Sequence, residues 1–317
     1  MSIKLLKYGM KELGFIRSFA DLKIFYNHKL CHLIPAIVGP SLKNSLPRKL
    51  QIEPTNLCNL KCLCCSNSKI KRSRGFMDYL LFQKIVDDAA EIGVSKIHLY
   101  LQGEPLLHPA VVDMIRYIKL KGLAITMATN GMLLDKEKGE LILRSGMNCA
   151  DYIIVSILGY SKKVHEGIMK GVEHERVLDN VYNLLEMRRK LKINGPIIET
   201  VFYTMPENEH EESRYLQFWE GKVDHVLVGG KISQQFTGQR SLPTRKKTCR
   251  YLWERMAVFW DGQVARCIAD YDGLHMLGSL AHKSIKEIWN SNEALSIKEQ
   301  HRSKKFGDIE LCSQCDW

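Results

Sequence analysis

Short apolar runs recur between about residues 50 and 228: KLQIE (49–53), KIHLYL (96–101), LAITMAT (123–129), DYIIVSI (151–157), IIETVFY (197–203) and VDHVLV (223–228). The stretches between them, such as MDYLLFQKIVDDAAEI and ERVLDNVYNLLEMRRKL, carry apolar residues at helical spacing. Strand–helix units in series predict parallel strands joined by right-handed crossovers. Six such units fall short of the eight that close a complete barrel, so the expected fold is α/β, a partial (β/α)6 TIM-like barrel. A flat doubly wound sheet is the alternative. In either, the working site lies at the C-terminal ends of the strands.

The pattern changes after residue 228. Residues 229–248, GGKISQQFTGQRSLPTRKKT, have no period and read as a connector. MAVFWDGQVARC then alternates apolar and polar positions around Asp261-Gly262, a strong hairpin signal. SIKEIWN (284–290) predicts a short helix. The expected division is a helical extension over 1–48, a barrel over 49–235 and a small C-terminal α+β unit over 236–317. In the extension, Lys4, Lys7 and Lys11 share one helical face and Leu6, Met10 and Leu13 another. Such a helix covers the open end or side of a barrel, with peripheral membrane contact or partner docking as the alternatives.

The chain has 317 residues, 45% hydrophobic and 26% charged, enough for a sizeable core. It carries no apolar run long enough to cross a bilayer and no signal-peptide core at its start, so a cytoplasmic location is expected. The net charge of +11 favours an anionic partner. The cations are scattered and not interleaved with aromatics, so nucleic acid is not expected. Ten cysteines in a reducing compartment point to metal binding or catalysis rather than disulfides.

Seven of the ten fall into two groups once Cys31, Cys64 and Cys149 are set aside. Cys58, Cys62 and Cys65 follow the first predicted strand with the spacing C-x3-C-x2-C. Three thiolates without an evident fourth ligand suit an iron–sulfur cluster with one open iron. A structural zinc loop with Cys64 as the fourth ligand is the alternative.

Cys58, Cys62 and Cys65 with the preceding EPTNL resemble the CxxxCxxC signature of the radical S-adenosylmethionine (radical SAM) superfamily. Further motifs at predicted strand ends resemble those of the same family: QGEP (102–105) its GGEP, ATNG (128–131) its TNG, and SILG (156–159) its SIDG. The resemblance implies a 4Fe–4S cluster bound by the three cysteines, with S-adenosylmethionine (AdoMet) chelated on the open iron. It also implies that the Gln102–Gly103–Glu104 turn holds the methionine amino group, with Ser156, Asn130 and the Cys64 backbone as further contacts. Two positions depart from the family pattern. Cys64 replaces the usual aromatic residue before the last cysteine, and Leu158 replaces the aspartate of SIDG.

Cys249, Cys267, Cys312 and Cys315 form the second group, and four thiolates saturate either zinc or an iron–sulfur cluster. CRYLWERMAVFWDGQVARCIAD, LGSL, SIKEIW and the terminal CSQC resemble the SPASM/twitch extension of the superfamily. The cysteine separations resemble those of 2-deoxy-scyllo-inosamine dehydrogenase-like proteins. This likeness implies a second, auxiliary 4Fe–4S cluster bound by four cysteines and serving as an electron relay. It also implies an electron donor such as flavodoxin or ferredoxin.

The reaction expected from the resemblance is reductive cleavage of AdoMet to a 5′-deoxyadenosyl radical, which abstracts hydrogen from the substrate. A two-electron oxidation of an alcohol on a sugar- or cyclitol-like metabolite follows. A peptide-modifying maturase and a sugar epimerase are the enzymatic alternatives, and a zinc-stapled binding module the non-enzymatic one. The substrate is a small molecule, anionic or sugar-like, or a peptide. No carboxylate or histidine is assigned as the catalytic base.

Overall fold

The computed structural model describes residues 46–228, 248–313 and 315. The amphipathic face of the N-terminal extension and the expected connector, apart from Thr248, lie outside the described residues, as does the 235/236 division.

All six apolar runs form strands. They are β1 (Lys49–Ile52), β3 (Lys96–Leu99), β4 (Ala124–Thr129), β5 (Tyr152–Ser156), β7 (Ile197–Phe202) and β8 (His225–Val228). They pair in parallel, in the order β1-β3-β4-β5-β7-β8, as an open sheet. Helices over Tyr79–Glu91, Val111–Leu120, Lys136–Leu143, His174–Lys190 and Glu212–Trp219 fall between them. Strand alternation assigns the faces. In β1, Leu50 and Ile52 are fully buried in the main apolar core, while Gln51 between them faces a cavity on the other side. The expected partial barrel is the fold.

Two pairings go beyond the sequence reading. The C-terminal unit is not a separate layer, because its strands β9 (Arg255–Val258), β10 (Gln263–Ala265) and β11 (Met276–Ser279) continue the sheet. β9 runs parallel to β1, with Lys49 opposite Arg255 and Gln51 opposite Ala257. The predicted hairpin is present, with β9 antiparallel to β10 and Gly262 at the positive φ that its turn requires. A second, two-stranded sheet pairs β2 (Lys61–Cys62) with β6 (Met169–Lys170), tying the first cysteine loop to the segment after β5.

A buried ion pair joins the barrel to the C-terminal unit. Both guanidinium Nη atoms of Arg72 donate to the Glu53 carboxylate, at 2.8 and 2.7 Å, and Glu53 is fully buried. Arg72 also lies 3.8 Å from the Phe259 ring centroid and donates to the Tyr271 carbonyl. Burial pushes the Glu53 carboxyl up, and Arg72 pulls it back down by the smaller amount. Removing one partner of such a pair strands a buried charge. Arg72→Ala is therefore expected to lower stability by about 3 kcal/mol, and Arg72→Lys by less. Anaerobic urea denaturation of the iron-loaded protein measures both, and unchanged midpoints would contradict the bridging role.

Candidate active site

The loop that carries the first cysteine group has almost no regular structure. It is held by its neighbours. Asn59, between Cys58 and Cys62, accepts a hydrogen bond from the Asn130 amide at 2.8 Å. The Ser66 hydroxyl donates to Gln102 Oε1 at 3.0 Å, and the Asn67 amide donates to the Gln102 carbonyl. Arg74 bridges the Asn56 carbonyl and Asn67. Leu63 donates to the Ile168 carbonyl beside the β2–β6 pair. The backbones of QGEP and the cysteine loop touch, and a Cβ at Gly103 would stand 2.2 Å from the Thr55 oxygen and 2.6 Å from the Leu57 oxygen. Only glycine fits there.

Glu104 is the hub between the QGEP and ATNG loops. It is 2% exposed, and its carboxylate accepts from the Leu106 N–H (3.0 Å), the Thr129 hydroxyl (2.8 Å) and the Asn130 N–H (2.8 Å). Its own N–H donates to the Leu57 carbonyl. Burial pushes its pKa up, with these donors opposing. A carboxylate so engaged is a structural clamp rather than a mobile acid or base. The SILG loop is held in a similar way. Glu211 accepts from the N–H groups of Tyr160 and Ser161 and from the Ser161 hydroxyl, while Asn208 donates to the Leu158 carbonyl.

These loops surround a cavity of about 550 Å³. Cys58, Cys62, Cys64 and Cys65 line it together with Gln102, Gly103, Glu104, Asn130 and Ser156. Every residue read from the sequence as a first-cluster ligand or AdoMet contact thus faces one space. Leu158, which departs from the family aspartate, lines it too. Cys149 lies before β5, at the opposite end of the strand from Ser156. The wall also carries residues that the sequence reading did not single out: Gln51, Tyr100, Tyr203, Tyr251, Arg255 and Ile268. Gln51 and Arg255 carry no sequence signal beyond odd–even position on β1 and β9, and Tyr100 and Tyr203, just past β3 and β7, Tyr251, in a short helix over Tyr251–Glu254, and Ile268, past β10, carry none.

The cysteines suit a cluster. Burial pushes the Cys58 thiol up to about 11 and Cys64 to about 12, and raises Cys62 and Cys65 as well. In the free chain they are thiols, and binding a cationic group would release their protons. Among the described residues no three His, Cys, Asp or Glu side chains form a ready site for a single metal ion. Three thiols on one wall of a larger space are the donor set that a 4Fe–4S cluster with one open iron takes.

The second group gathers around Cys267. Burial raises its thiol to about 12, with Cys249, Cys312 and Cys315 adding to the shift, so the four cysteines share one neighbourhood. His301, fully buried, lies 3.3 Å from Cys312 Sγ through Nε2, and its Nδ1 is 3.3 Å from the Cys249 nitrogen. Ile268, next in sequence to Cys267, reaches the large cavity.

Residues 52–232, more than half of the chain, match the family profile of the radical SAM superfamily, and residues 249–316 match that of the SPASM iron–sulfur cluster-binding domain. The chain belongs to the radical SAM superfamily. Its cofactors are therefore AdoMet and 4Fe–4S clusters. It is similar to the tungsten-containing aldehyde ferredoxin oxidoreductase cofactor-modifying protein of Pyrococcus furiosus, at 32% identity over 84% of this chain and 88% of that one. Among solved structures it resembles BtrN in complex with AdoMet and 2-DOIA, with a TM-score of 0.62, 18% identity, and coverage of 86% of this chain and 94% of that one. SuiB of Streptococcus suis bound to the precursor peptide SuiA gives a TM-score of 0.62 at 16% identity, covering 86% and 70%. These structural likenesses concern the fold. Among the described residues no helix is long and apolar enough to cross a membrane.

Glu104→Gln turns one acceptor oxygen into a donor facing donors. It is expected to cost about 2 kcal/mol of stability, as an unsatisfied buried group does, without adding or removing an ionisation in the pH profile of AdoMet cleavage. A lost ionisation would mean that Glu104 is a catalytic acid or base.

Proposed function

We propose that this radical SAM chain oxidises a small molecule by two electrons, removing hydrogen from a carbon that carries a hydroxyl, as on a sugar- or cyclitol-like metabolite. One observation carries the reading: a single cavity is lined both by Cys58, Cys62 and Cys65 and by Tyr251, Arg255 and Ile268, from the segment holding the second cysteine group. A substrate there lies between the two cysteine groups.

In this reading Cys58, Cys62 and Cys65 hold the first cluster. The Gln102–Glu104 turn, Asn130, Ser156 and the Cys64 backbone position AdoMet, and Cys249, Cys267, Cys312 and Cys315 hold the auxiliary cluster. When bound, these groups would supply a 5′-deoxyadenosyl radical that takes a hydrogen atom from carbon and an acceptor for the electron left behind, while the hydroxyl proton leaves to a base in the cavity or to solvent. The chain's own residues place the substrate and keep water out. Leu60, Leu158, Met169 and Ile268 give an apolar lining, and the Tyr100 and Tyr203 hydroxyls offer hydrogen bonds to a hydroxylated substrate. A flavodoxin or ferredoxin serves as electron donor, and the protein works in the cytoplasm. The chain divides functionally at 1–48, 49–235 and 236–317. A second reading rests on the likeness to the Pyrococcus protein, whose name assigns it modification of an enzyme cofactor. SuiB and anSMEcpe bind peptides, which keeps a peptide as a third substrate class.

Anaerobically reconstituted protein is expected to carry about eight irons and, with dithionite, to release 5′-deoxyadenosine. Cys58→Ala, Cys62→Ala and Cys65→Ala abolish that release. Cys267→Ala lowers iron to about four, keeps the release, and loses the product lighter by two hydrogens. Mass spectrometry of nucleoside and product checks each outcome. A product of unchanged mass would replace oxidation with epimerisation.

A further inference from the structure

Arg255 is the only cation among the described residues lining the cavity, and Glu104, already clamped, is the only carboxylate. The Arg255 guanidinium stacks on the Tyr251 ring, 4.6 Å from its centroid, and Nη1 donates to Tyr251 Oη at 3.0 Å. Tyr251 Oη in turn donates to Gln51 Oε1 at 2.9 Å. The fork is thus fixed on a neutral tyrosine, and no ion pair to a described carboxylate forms.

Among the described residues, the carboxylates of Glu53, Glu104, Glu199 and Glu254 have other partners. Arg72 holds Glu53, three donors hold Glu104, His225 holds Glu199, and Arg250 holds Glu254, the residue preceding Arg255. The surroundings are positive as well. Burial pushes the His98 pKa well down, and Arg255, Lys96 and Lys49 push it further. A guanidinium that faces a largely apolar cavity without a carboxylate is costly unless an anion meets it. Its planar fork suits two oxygens of a carboxylate or phosphate.

We infer that Arg255 receives an oxyanion of the substrate, so that the molecule oxidised carries a carboxylate or phosphate group anchored beside Tyr251 and Gln51. The inference rests on the reading that the cavity holds the substrate. It makes Arg255 a specificity-determining residue, with Tyr251 its positioning residue.

The test uses the full-length, iron-loaded protein with AdoMet, under anaerobic conditions and at constant ionic strength set by chloride. Inorganic phosphate, pyrophosphate and acetate are titrated separately, and binding is read from the thermal unfolding midpoint. Saturable binding of at least one is expected, weakened about tenfold by Arg255→Gln, less by Arg255→Lys, and not at all by Arg116→Gln on the surface. The phosphate and acetate arms tell the two anion classes apart. Absence of saturable binding to wild type, or equal affinity in Arg255→Gln, overturns the inference. A lowered midpoint with unchanged anion affinity also overturns it, since that marks a purely structural arginine. Should Arg255→Gln fail to load iron, Arg255→Lys decides by the same criterion. Release of 5′-deoxyadenosine, assayed on the same samples, separates failure of the radical reading from failure of the anion assignment.

Discussion

A loop whose main asset is three thiols has little apolar surface to bury, so its shape depends on hydrogen bonds borrowed from the loops around it. Here Asn130 reaches Asn59, Ser66 and Asn67 reach Gln102, and β2 zips onto β6. Each partner lies just beyond the end of a different barrel strand or on the segment after β5. The barrel sets where the strand ends fall, the strand ends set the loop, and the loop sets the three sulfurs. Glu104 closes the arrangement by joining the loops after β3 and β4 through three donors to one buried carboxylate. Removal of a tie to buried Gln102 or Glu104 leaves a polar group buried without a partner, so the ring is held more tightly than its apolar contacts imply.

The six barrel strands were legible because period-two and buried-run patterns are local. Each observed strand falls inside its apolar run, trimmed by at most a few residues. The Asp261-Gly262 hairpin was legible for the same reason. The pairing of β9 with β1 was not. Lys49 and Arg255 stand opposite one another across some two hundred residues, and neither strand carries a mark of its partner. The two-residue strands β2 and β6 have too few positions for any period. The cysteines and the motifs beside them could be read because their chemistry is written in residue type and spacing. The roles of Arg72, Tyr251 and Arg255 could not, since an arginine or tyrosine looks the same in the sequence whether it meets solvent, a carboxylate or a cavity.

The same limit explains Glu104. As part of QGEP it reads as a cofactor contact, and it does line the cavity. Its oxygens nonetheless accept from the Leu106 and Asn130 N–H groups and the Thr129 hydroxyl, so its contribution to the cavity is shape and not a free charge. Leu158 carries this further. With leucine where the family has aspartate, the wall near Ser156 has no carboxylate of its own, and the balance of charge around the cavity moves toward Arg255.

The parallel register of β1 and β9 also fixes the relation between the two cysteine groups. Cys58 lies beyond the C-terminal end of β1. Cys249 precedes β9, and Cys267 follows β10, which runs back toward the Arg255 end of β9 because Ala265 pairs with Ala257. The two groups therefore sit toward opposite ends of one strand pair. Four paired residues span about 13 Å, at roughly 3.3 Å each. Register, not linker length, holds them apart, because slipping β9 by one residue would turn Arg255 and Ala257 to the other face of the sheet. The strand pairing that was illegible in the sequence is the one that brings Arg255, on β9, to the cavity that the first cysteine group lines.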